Sequence, residues 1–188
     1  QEPRGFIAQR AIGSGFQSVL FADCRTVDEV KECVRITRAD TPEDNGTYGV
    51  ATRRFSYMGY GGGTDYVQAL REVVVVIMIE KSGTVDNLEE VLSIEGVDMI
   101  QWGGADYSMS IGKAGQRGDK SIRDAEKRVF ETAIAMGVPP RAEIGSPEQA
   151  KYYIDLGVKH FCIGTDVHIL YSWWKNNGDE LRKVVESA

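Results

Sequence analysis

The sequence of 188 residues is poor in cysteine and histidine, and it contains neither a cluster of basic residues nor a long apolar run. No apolar run approaches the roughly 20 residues of a membrane span, so we expect no membrane partner. A net charge of −6 without a basic stripe argues against nucleic acid, which leaves a small molecule as the expected partner. Cys24, Cys33 and Cys162 are odd in number and have no close-pair spacing, which favours reduced thiols in the cytoplasm.

Two acidic residues each follow a hydrophobic run. Val73 to Glu80 is seven apolar, mostly β-branched residues and one acid, which predicts a strand buried on both faces and ended by Glu80. Val97 to Asp106 is a second apolar run that passes into a glycine turn and delivers Asp106. Between them, apolar residues from Thr84 to Ile94 recur at helical spacing, with Thr84 placed to cap the helix and Gly96 placed to end it. This stretch therefore predicts a strand, helix, strand unit.

The two strands of this unit are expected to be parallel, with both carboxyl ends at one edge of the sheet. Neighbouring strands lie about 4.8 Å apart, so acids at adjacent strand ends can reach one ion. Glu80 and Asp106 are therefore candidate ligands of a divalent metal ion, and ligation by oxygen alone favours Mg²⁺, Mn²⁺ or a similar ion such as Co²⁺ over zinc. The alternative is that each acid merely ends a strand or caps the following helix.

The rest of the chain alternates helical and strand patterns. Thr26 and Glu29 form a capping box that predicts the start of a helix, and Gly-Val recurs where a helix ends and a strand begins. The alternation predicts an α/β protein in one domain, residues 1–188, with parallel strands near residues 16, 73, 97, 140 and 160 and a helical C-terminal tail. Five strands suffice for a doubly wound open sheet, whereas a (β/α)₈ TIM barrel needs eight.

One long connection interrupts the alternation, from Arg38 to Thr64. Connections of this length are usually functional or disordered, and we interpret this one as an active-site flap, with an assembly surface as the alternative. Its candidate functional side chains are those of Arg53, Arg54, Phe55, Tyr57 and Tyr60.

The glycine turn before Asp106 is a second candidate site. Gly103 and Gly104 let the backbone approach a ligand closely, and the amides of the residues that follow can hold an anion, although a plain tight turn explains the same glycines. The only histidines are His160, expected in the core or at the amino-terminal edge of the last strand, and His168, expected at the ligand-binding edge.

Five segments of the chain, in this order and spacing, resemble signatures of the HpcH/HpaI aldolase family. They are Met78-Ile79-Glu80-Lys81-Ser82, Val85-Asp86-Asn87-Leu88, Ile94-Glu95-Gly96-Val97-Asp98, Gly103-Gly104-Ala105-Asp106-Tyr107-Ser108 and Ile163-Gly164-Thr165-Asp166. The resemblance runs from about Phe6 to Leu170.

The resemblance implies a (β/α)₈ TIM barrel of the phosphoenolpyruvate/pyruvate-binding type, with Glu80 and Asp106 as ligands of the metal. Pyruvate would chelate that ion, and the glycine turn (Gly104, Ala105 and Asp106) would bind the substrate carboxylate through its amides. The implied reaction is a class II aldol cleavage, in which a 4-hydroxy-2-oxo acid yields an aldehyde and a metal-stabilised pyruvate enolate.

The chain departs from the family pattern in three respects. Met78 stands where the family usually has glutamine, and Gly104 where it usually has proline. The family layout also makes Glu2 to Gly13 the helix after strand three, so this chain would cover about strands 4 to 8. The base histidine and the arginine that contacts the keto oxygen are therefore expected upstream, and neither role passes to His160, His168 or Arg53.

The resemblance further implies a homo-oligomer, commonly a hexamer of dimers that exchange C-terminal helices, with Trp173 and Trp174 placed for such a contact. Two other functions stay open. One is a related condensing or carbon–carbon hydrolysing enzyme, and the other is a non-catalytic partner subunit that binds a metabolite. A nucleotide-binding open sheet lacks a phosphate fingerprint in this sequence.

Overall fold

A computed structural model of the chain describes residues 4–50 and 63–188. Residues 51–62, which carry the five side chains predicted for the flap, lie outside the described residues. The five predicted strands are present as β1 (Ser18–Phe21), β2 (Val74–Ile79), β3 (Met99–Trp102), β4 (Pro140–Ile144) and β5 (His160–Ile163).

Helices separate the strands along the chain. They are α1 (Arg4–Gly13), α2 (Val27–Arg35), α3 (Thr64–Arg71), α4 (Ser82–Asp86), α5 (Leu88–Leu92), α6 (Gly104–Ser110), α7 (Lys120–Ala135), α8 (Ala150–Asp155), preceded by a 3₁₀ turn at Pro147–Gln149, and α9 (Asp166–Glu186).

The strands form one parallel sheet in the order β1-β2-β3-β4-β5. Each strand pairs with the one that precedes it in the chain, with Ser18 opposite Val74, Val76 opposite Met99, and Arg141 opposite His160. A doubly wound sheet reverses its strand order at a switch point. The described sheet has no such reversal, so it is a five-strand parallel half-barrel and not the open sheet that the strand count alone permitted.

The core lies between the sheet and the helices that follow its strands. Val75, Ile77 and Ile79 alternate along β2 and are buried against residues of α2, α5 and α7. This face uses the β-branched residues that favour strands, and each crossover helix contributes an apolar stripe to it. The register of β2 and β3 is thereby set, which brings their carboxyl ends to one edge.

Glycine ends the helices where the Gly-Val pattern predicted. Gly137 after α7 and Gly157 after α8 have φ of 80° and 97°, a left-handed conformation that other residues adopt only with strain. The following valines, Val138 and Val158, are buried as the chain turns back into the sheet.

Two local predictions are wrong. The single helix from Thr84 to Ile94 is divided at Asn87 into α4 and α5, and Lys81 rather than Thr84 precedes its first turn. Thr84 is instead buried, with its hydroxyl donating to the Lys81 carbonyl at 3.0 Å. Its side chain is therefore a packing element of the first turn and not its cap.

The described part of the long connection, residues 38–50, lies at the amino-terminal edge of the sheet. Arg38 donates from Nη1 to the carbonyls of Leu70 and Val73 at 3.2 and 3.0 Å, and Val73 immediately precedes β2. Arg71 binds Glu43 and Asp44 at 2.7 and 2.6 Å. This part of the segment is thus fastened at the edge opposite the predicted site, which corrects the flap interpretation for residues 38–50.

Among the described residues, no helix combines the length and the apolar character that crossing a membrane requires.

Candidate functional site

The carboxyl ends of the strands meet at one edge, and Glu80 follows β2 there. Its side chain is nearly covered, with 4% of the residue exposed, and its Oε1 accepts a hydrogen bond from the backbone N–H of Asp23 at 2.5 Å. Burial raises the pKa of Glu80, and the negative charge of Asp106 raises it further. A buried carboxylate with an acidic neighbour is stabilised by any cation that binds between them.

Asp106 lies in the first turn of the helix α6, which begins directly after Gly103, and it lines the same cleft as Glu80. The Asp106 Oδ1 accepts from Lys81 Nζ at 2.9 Å, while the side chain stays half exposed. The helical turn therefore directs the carboxylate to the strand edge.

Lys81 joins this acid to a third one. Its Nζ lies 3.1 Å from Asp23 Oδ1 and 2.9 Å from Asp106 Oδ1, and its side chain is only 11% exposed. Burial alone would lower the pKa of Lys81, but hydrogen bonds to the two acids raise it. The hydrogen bond with Lys81 in turn lowers the pKa of Asp23. Lys81 is therefore a charged bridge between the ends of β1 and β3.

Asp23 is a residue of the site that was not predicted from the sequence, although a signal for it is present there. It follows the run Phe16 to Ala22 just as Glu80 follows its own strand. Its backbone is left-handed, with φ of 61°, which is uncommon for a residue with a side chain. This conformation accompanies two contacts at once, from its N–H to Glu80 and from its carboxylate to Lys81.

The predicted glycine turn approaches the Glu80 side chain. A Cβ placed on Gly103 would lie 2.6 Å from the Cβ and 2.7 Å from the Oε2 of Glu80. One placed on Gly104 would lie 2.8 Å from the indole nitrogen of Trp102. Close approach is therefore the physical reason for Gly103, and the approach is to a side chain of the site.

Both acids line one cleft of about 590 Å³. The same cleft is lined by Glu143, near the end of β4, and by His168, in the first turn of α9. Met78 also lines the cleft, at the position where a glutamine was expected. The other histidine, His160, begins β5 at the far edge of the sheet and is exposed, so the two histidines lie at opposite edges.

Two side-chain hydrogen bonds hold the Glu143 carboxylate in place. Arg141 donates from Nε to Gln101 Oε1 at 2.7 Å, and Gln101 donates from Nε2 to Glu143 Oε2 at 3.0 Å. Gln101 is 2% exposed, so its amide is held in one orientation by two partners. These two hydrogen bonds orient the Glu143 carboxylate, which lines the cleft.

The residues present fit a divalent cation with few protein ligands. Across the two described stretches, 4–50 and 63–188, no group of three or more histidine, cysteine, aspartate or glutamate side chains is arranged to hold a metal. Glu80 and Asp106 nevertheless face the same cleft and offer hard carboxylate oxygens. Ions such as Mg²⁺ commonly take one or two carboxylates and complete their shell with water and substrate.

The chain matches the family model described as HpcH/HpaI aldolase/citrate lyase over residues 2–170. Among curated proteins, it is similar to the 5-keto-4-deoxy-D-glucarate aldolase of Shigella boydii serotype 18. The two are 27% identical over 178 residues, which covers 94% of this chain and 68% of the relative.

Two solved structures share the fold. One is an HpcH/HpaI aldolase/citrate lyase family protein from Burkholderia cenocepacia J2315, with a TM-score of 0.79, 28% identity, and coverage of 95% of this chain and 70% of the other. The second is an HpcH/HpaI aldolase from Desulfitobacterium hafniense DCB-2, with a TM-score of 0.76, 17% identity, and coverage of 94% and 68%.

Proposed function

Because the chain belongs to the HpcH/HpaI aldolase/citrate lyase family, we propose that it is a class II aldolase that depends on a divalent metal ion. The reaction is the reversible cleavage of a 4-hydroxy-2-oxo acid into pyruvate and an aldehyde. The observation that carries this proposal is the pair Glu80 and Asp106 on one cleft, with Glu80 buried beside a second negative charge.

In this proposal Glu80 and Asp106 hold a Mg²⁺, Mn²⁺ or Co²⁺ ion. A bound divalent cation supplies Lewis acidity, which polarises the 2-oxo group and stabilises the negative charge that cleavage leaves on the pyruvate half. Asp23 keeps Glu80 in place through its N–H, and Lys81 keeps Asp106 in place through its ammonium group. The amides of Gly104, Ala105 and Asp106 bind the substrate carboxylate, since first-turn N–H groups have no acceptor within their helix.

We propose that β1 to β5 correspond to strands 4 to 8 of a (β/α)₈ TIM barrel of the phosphoenolpyruvate/pyruvate-binding type. The sequential strand order supports this, as does the placement of both acids at the carboxyl edge, where such barrels carry their active sites. The general base and the arginine for the keto oxygen are assigned to no residue of this chain. We place the protein in the cytoplasm, whose reducing conditions suit a chain with three free thiols.

Release of pyruvate tests the activity. With Mn²⁺, the protein is expected to cleave 4-hydroxy-2-oxo acids, of which 5-keto-4-deoxy-D-glucarate is the first to try. Glu80→Gln and Asp106→Asn should each lower kcat/KM by at least about 10³-fold, since a metal contributes several kcal/mol of charge stabilisation.

The control for both variants is Glu180→Gln, which removes an exposed carboxylate from α9 and should leave turnover unchanged. Circular dichroism checks that all three variants fold. Full metal-dependent turnover in both site variants would overturn the assignment of the metal ligands.

A second candidate function rests on Met78. A thioether on the cleft replaces the amide expected there, and with it a hydrogen-bonding group for the substrate. This favours either a related condensing or carbon–carbon hydrolysing enzyme or a non-catalytic subunit that binds a 2-oxo acid. Calorimetric titration with Mn²⁺ and pyruvate identifies a non-catalytic subunit, because such a subunit would bind both without turning over a substrate.

We also propose that the protein is a homo-oligomer, dimer-based and up to a hexamer, assembled through α9. No residue of this 21-residue helix is buried, yet it carries large apolar side chains. They include Val167, Ile169, Leu170, Trp173, Trp174, Leu181, Val184 and Val185. Light scattering should give a multiple of the 20.8 kDa chain mass, and Trp173→Glu with Trp174→Glu should reduce it. A wild-type mass of one chain at every concentration would contradict this proposal.

A further inference from the structure

Cys24 and Cys33, which take no part in the proposed metal site, lie next to each other in the core. Cys24 lies in the connection between β1 and α2, and Cys33 lies on the buried side of α2. Neither thiol is exposed, and their Sγ atoms are 3.6 Å apart. Two buried sulfur atoms at this separation need only a small displacement to form a bond.

The connection that carries Cys24 is held firmly on the helix side. Thr26 accepts a hydrogen bond from the Glu29 N–H at 3.2 Å, and Glu29 accepts one from the Arg25 N–H at 2.5 Å. This capping arrangement, which the sequence predicts from Thr26 and Glu29, fixes the start of α2. It therefore holds α2, and with it Cys33, in place, while Cys24 lies outside the helix in the connection.

Cys24 is covalently joined to the residue that supports the candidate metal ligand. Asp23 donates its N–H to Glu80 and pairs its carboxylate with Lys81. Any displacement of the Cys24 backbone is transmitted to Asp23 across one peptide bond. The thiol pair is thus mechanically connected to the site without touching the substrate.

The surroundings differentiate the two sulfur atoms. The hydrogen bond from Cys33 lowers the pKa of Cys24 in spite of burial, and the charge of Arg4 lowers it further. The same hydrogen bond raises the pKa of Cys33. Arg4 is anchored beside them, donating from Nη2 to the Asp23 carbonyl at 2.7 Å. Nearby cations of this kind are typical of reactive cysteines.

We propose that Cys24 and Cys33 are a redox-sensitive pair, which a hydroperoxide closes into a disulfide that withdraws Asp23 from Glu80. The Cys24 thiolate attacks one peroxide oxygen and breaks the O–O bond, giving a sulfenic acid and, after protonation, water or an alcohol. The Cys33 sulfur then displaces the hydroxyl group from Cys24, forming the S–S bond and releasing water. Two electrons pass from the two sulfur atoms to the peroxide.

The displacement follows from bond lengths. A disulfide is about 2.05 Å long, so the two sulfur atoms must approach by about 1.5 Å from their present separation. Cys33 lies within α2, whose backbone is constrained by its own hydrogen bonds, so the connection carrying Cys24 and Asp23 takes up most of the change. Asp23 already has the uncommon φ of 61°, and its N–H contact with Glu80 is the one that this change disrupts.

The burial of Cys24 and Cys33 determines which oxidant can reach them. Both thiols are 0% exposed, so the oxidant in this proposal is hydrogen peroxide, which is close to water in size. Cys162 is partly exposed, so a bulky aromatic disulfide should modify Cys162 before either member of the pair. This order of reactivity distinguishes a buried redox pair from three equivalent thiols.

The experiment uses the full chain, treated with hydrogen peroxide and digested with trypsin without reduction. Oxidation should remove two hydrogens from the intact mass and link the peptide of residues 11–25 to that of residues 32–35. Cys33→Ala should stop at a sulfenic acid on Cys24, which dimedone traps when the protein is then denatured in its presence, and Cys24→Ala should give no adduct at Cys33. Cys162→Ser, the matched control, should form the same link as the wild type.

Hydrogen exchange of the Asp23 amide reads the effect on the site without an activity assay. This amide should be protected in the reduced protein and lose that protection after oxidation, and a thiol reductant should restore it. The consequence for turnover rests on the proposed function, and we expect a loss of about 10-fold, the usual effect of losing a group that supports a metal ligand.

Three results would overturn the inference: a link that involves Cys162, a treated wild type in which Cys24 and Cys33 both remain free thiols, or an Asp23 amide whose exchange is the same in both forms. If the reduced protein has no aldolase activity, the proposed function fails while the mass and exchange results still decide the redox pair.

Discussion

The edge that follows β2 and the helix α9 differ in how deeply their side chains are buried and in where the partners of those side chains lie in the chain. At the edge, Glu80 and Lys81 are both largely buried, and each has a partner from another part of the chain. Along α9, the ion pairs join residues three apart, as in Arg182 with Asp179, and the apolar side chains stay exposed. The first region depends on contacts between distant residues, whereas the second is a helix supported by its own local contacts. A substitution should therefore cost the protomer much in the first region and little in the second.

The largest expected difference is in unfolding free energy. Ile77→Ala empties a position in β2 that is 0% exposed, and such substitutions typically cost about 2 to 5 kcal/mol. Leu181→Ala removes a side chain of α9 that is 63% exposed, so it should cost the protomer less than about 0.5 kcal/mol.

Urea unfolding followed by circular dichroism, at the lowest practical protein concentration, measures both values. Because α9 is proposed to mediate assembly, the cost of Leu181→Ala should grow with protein concentration. If Leu181→Ala instead lowers the unfolding free energy by the same amount at every protein concentration, α9 is packed within its own protomer.

The two regions should also differ in the effect of replacing a glycine by alanine. Gly103→Ala would push against Glu80, so we expect a fall of about 10-fold or more in Mn²⁺ affinity by calorimetry. Gly178 lies within α9 with no atom within 4 Å of an added Cβ, and Gly178→Ala should stabilise the helix by about 0.5 to 1 kcal/mol. Unchanged Mn²⁺ affinity in Gly103→Ala would show that Glu80 is not the ligand.

The smallest expected effect concerns Glu126, which lines the cleft from α7. Burial raises the pKa of Glu126, although Tyr153 donates to it at 2.9 Å. The folded state then binds more protons than the unfolded state, so the unfolding free energy should fall as pH rises from about 4.5, the ordinary pKa, through the raised value.

Glu126→Gln keeps an acceptor for Tyr153 but does not titrate, so the fall with pH should be smaller in that variant. Urea unfolding at a series of pH values measures the slope, and Glu180→Gln in α9 serves as the exposed control. A variant with the same slope as the wild type would show that other groups cause the pH dependence.

Much of the fold was predictable because its signals are local. The run before Glu80, the Thr26 hydrogen bond at the start of α2, and the glycines that end α7 and α8 each depend on a few adjacent residues, and all are present. The break between α4 and α5 was not predictable, since the apolar spacing continues across Asn87 and only packing shows that the helix divides there.

The sequence by itself determined the five strands, their order along the chain, and the two acids that follow β2 and β3. Alternation, β-branched runs and glycine stops need no tertiary information. Only the tertiary structure decided that Asp23 supports Glu80, that Lys81 bridges two acids, and that Cys24 faces Cys33. These contacts join residues from different elements, and the strand register and helix packing that create them depend on the whole core.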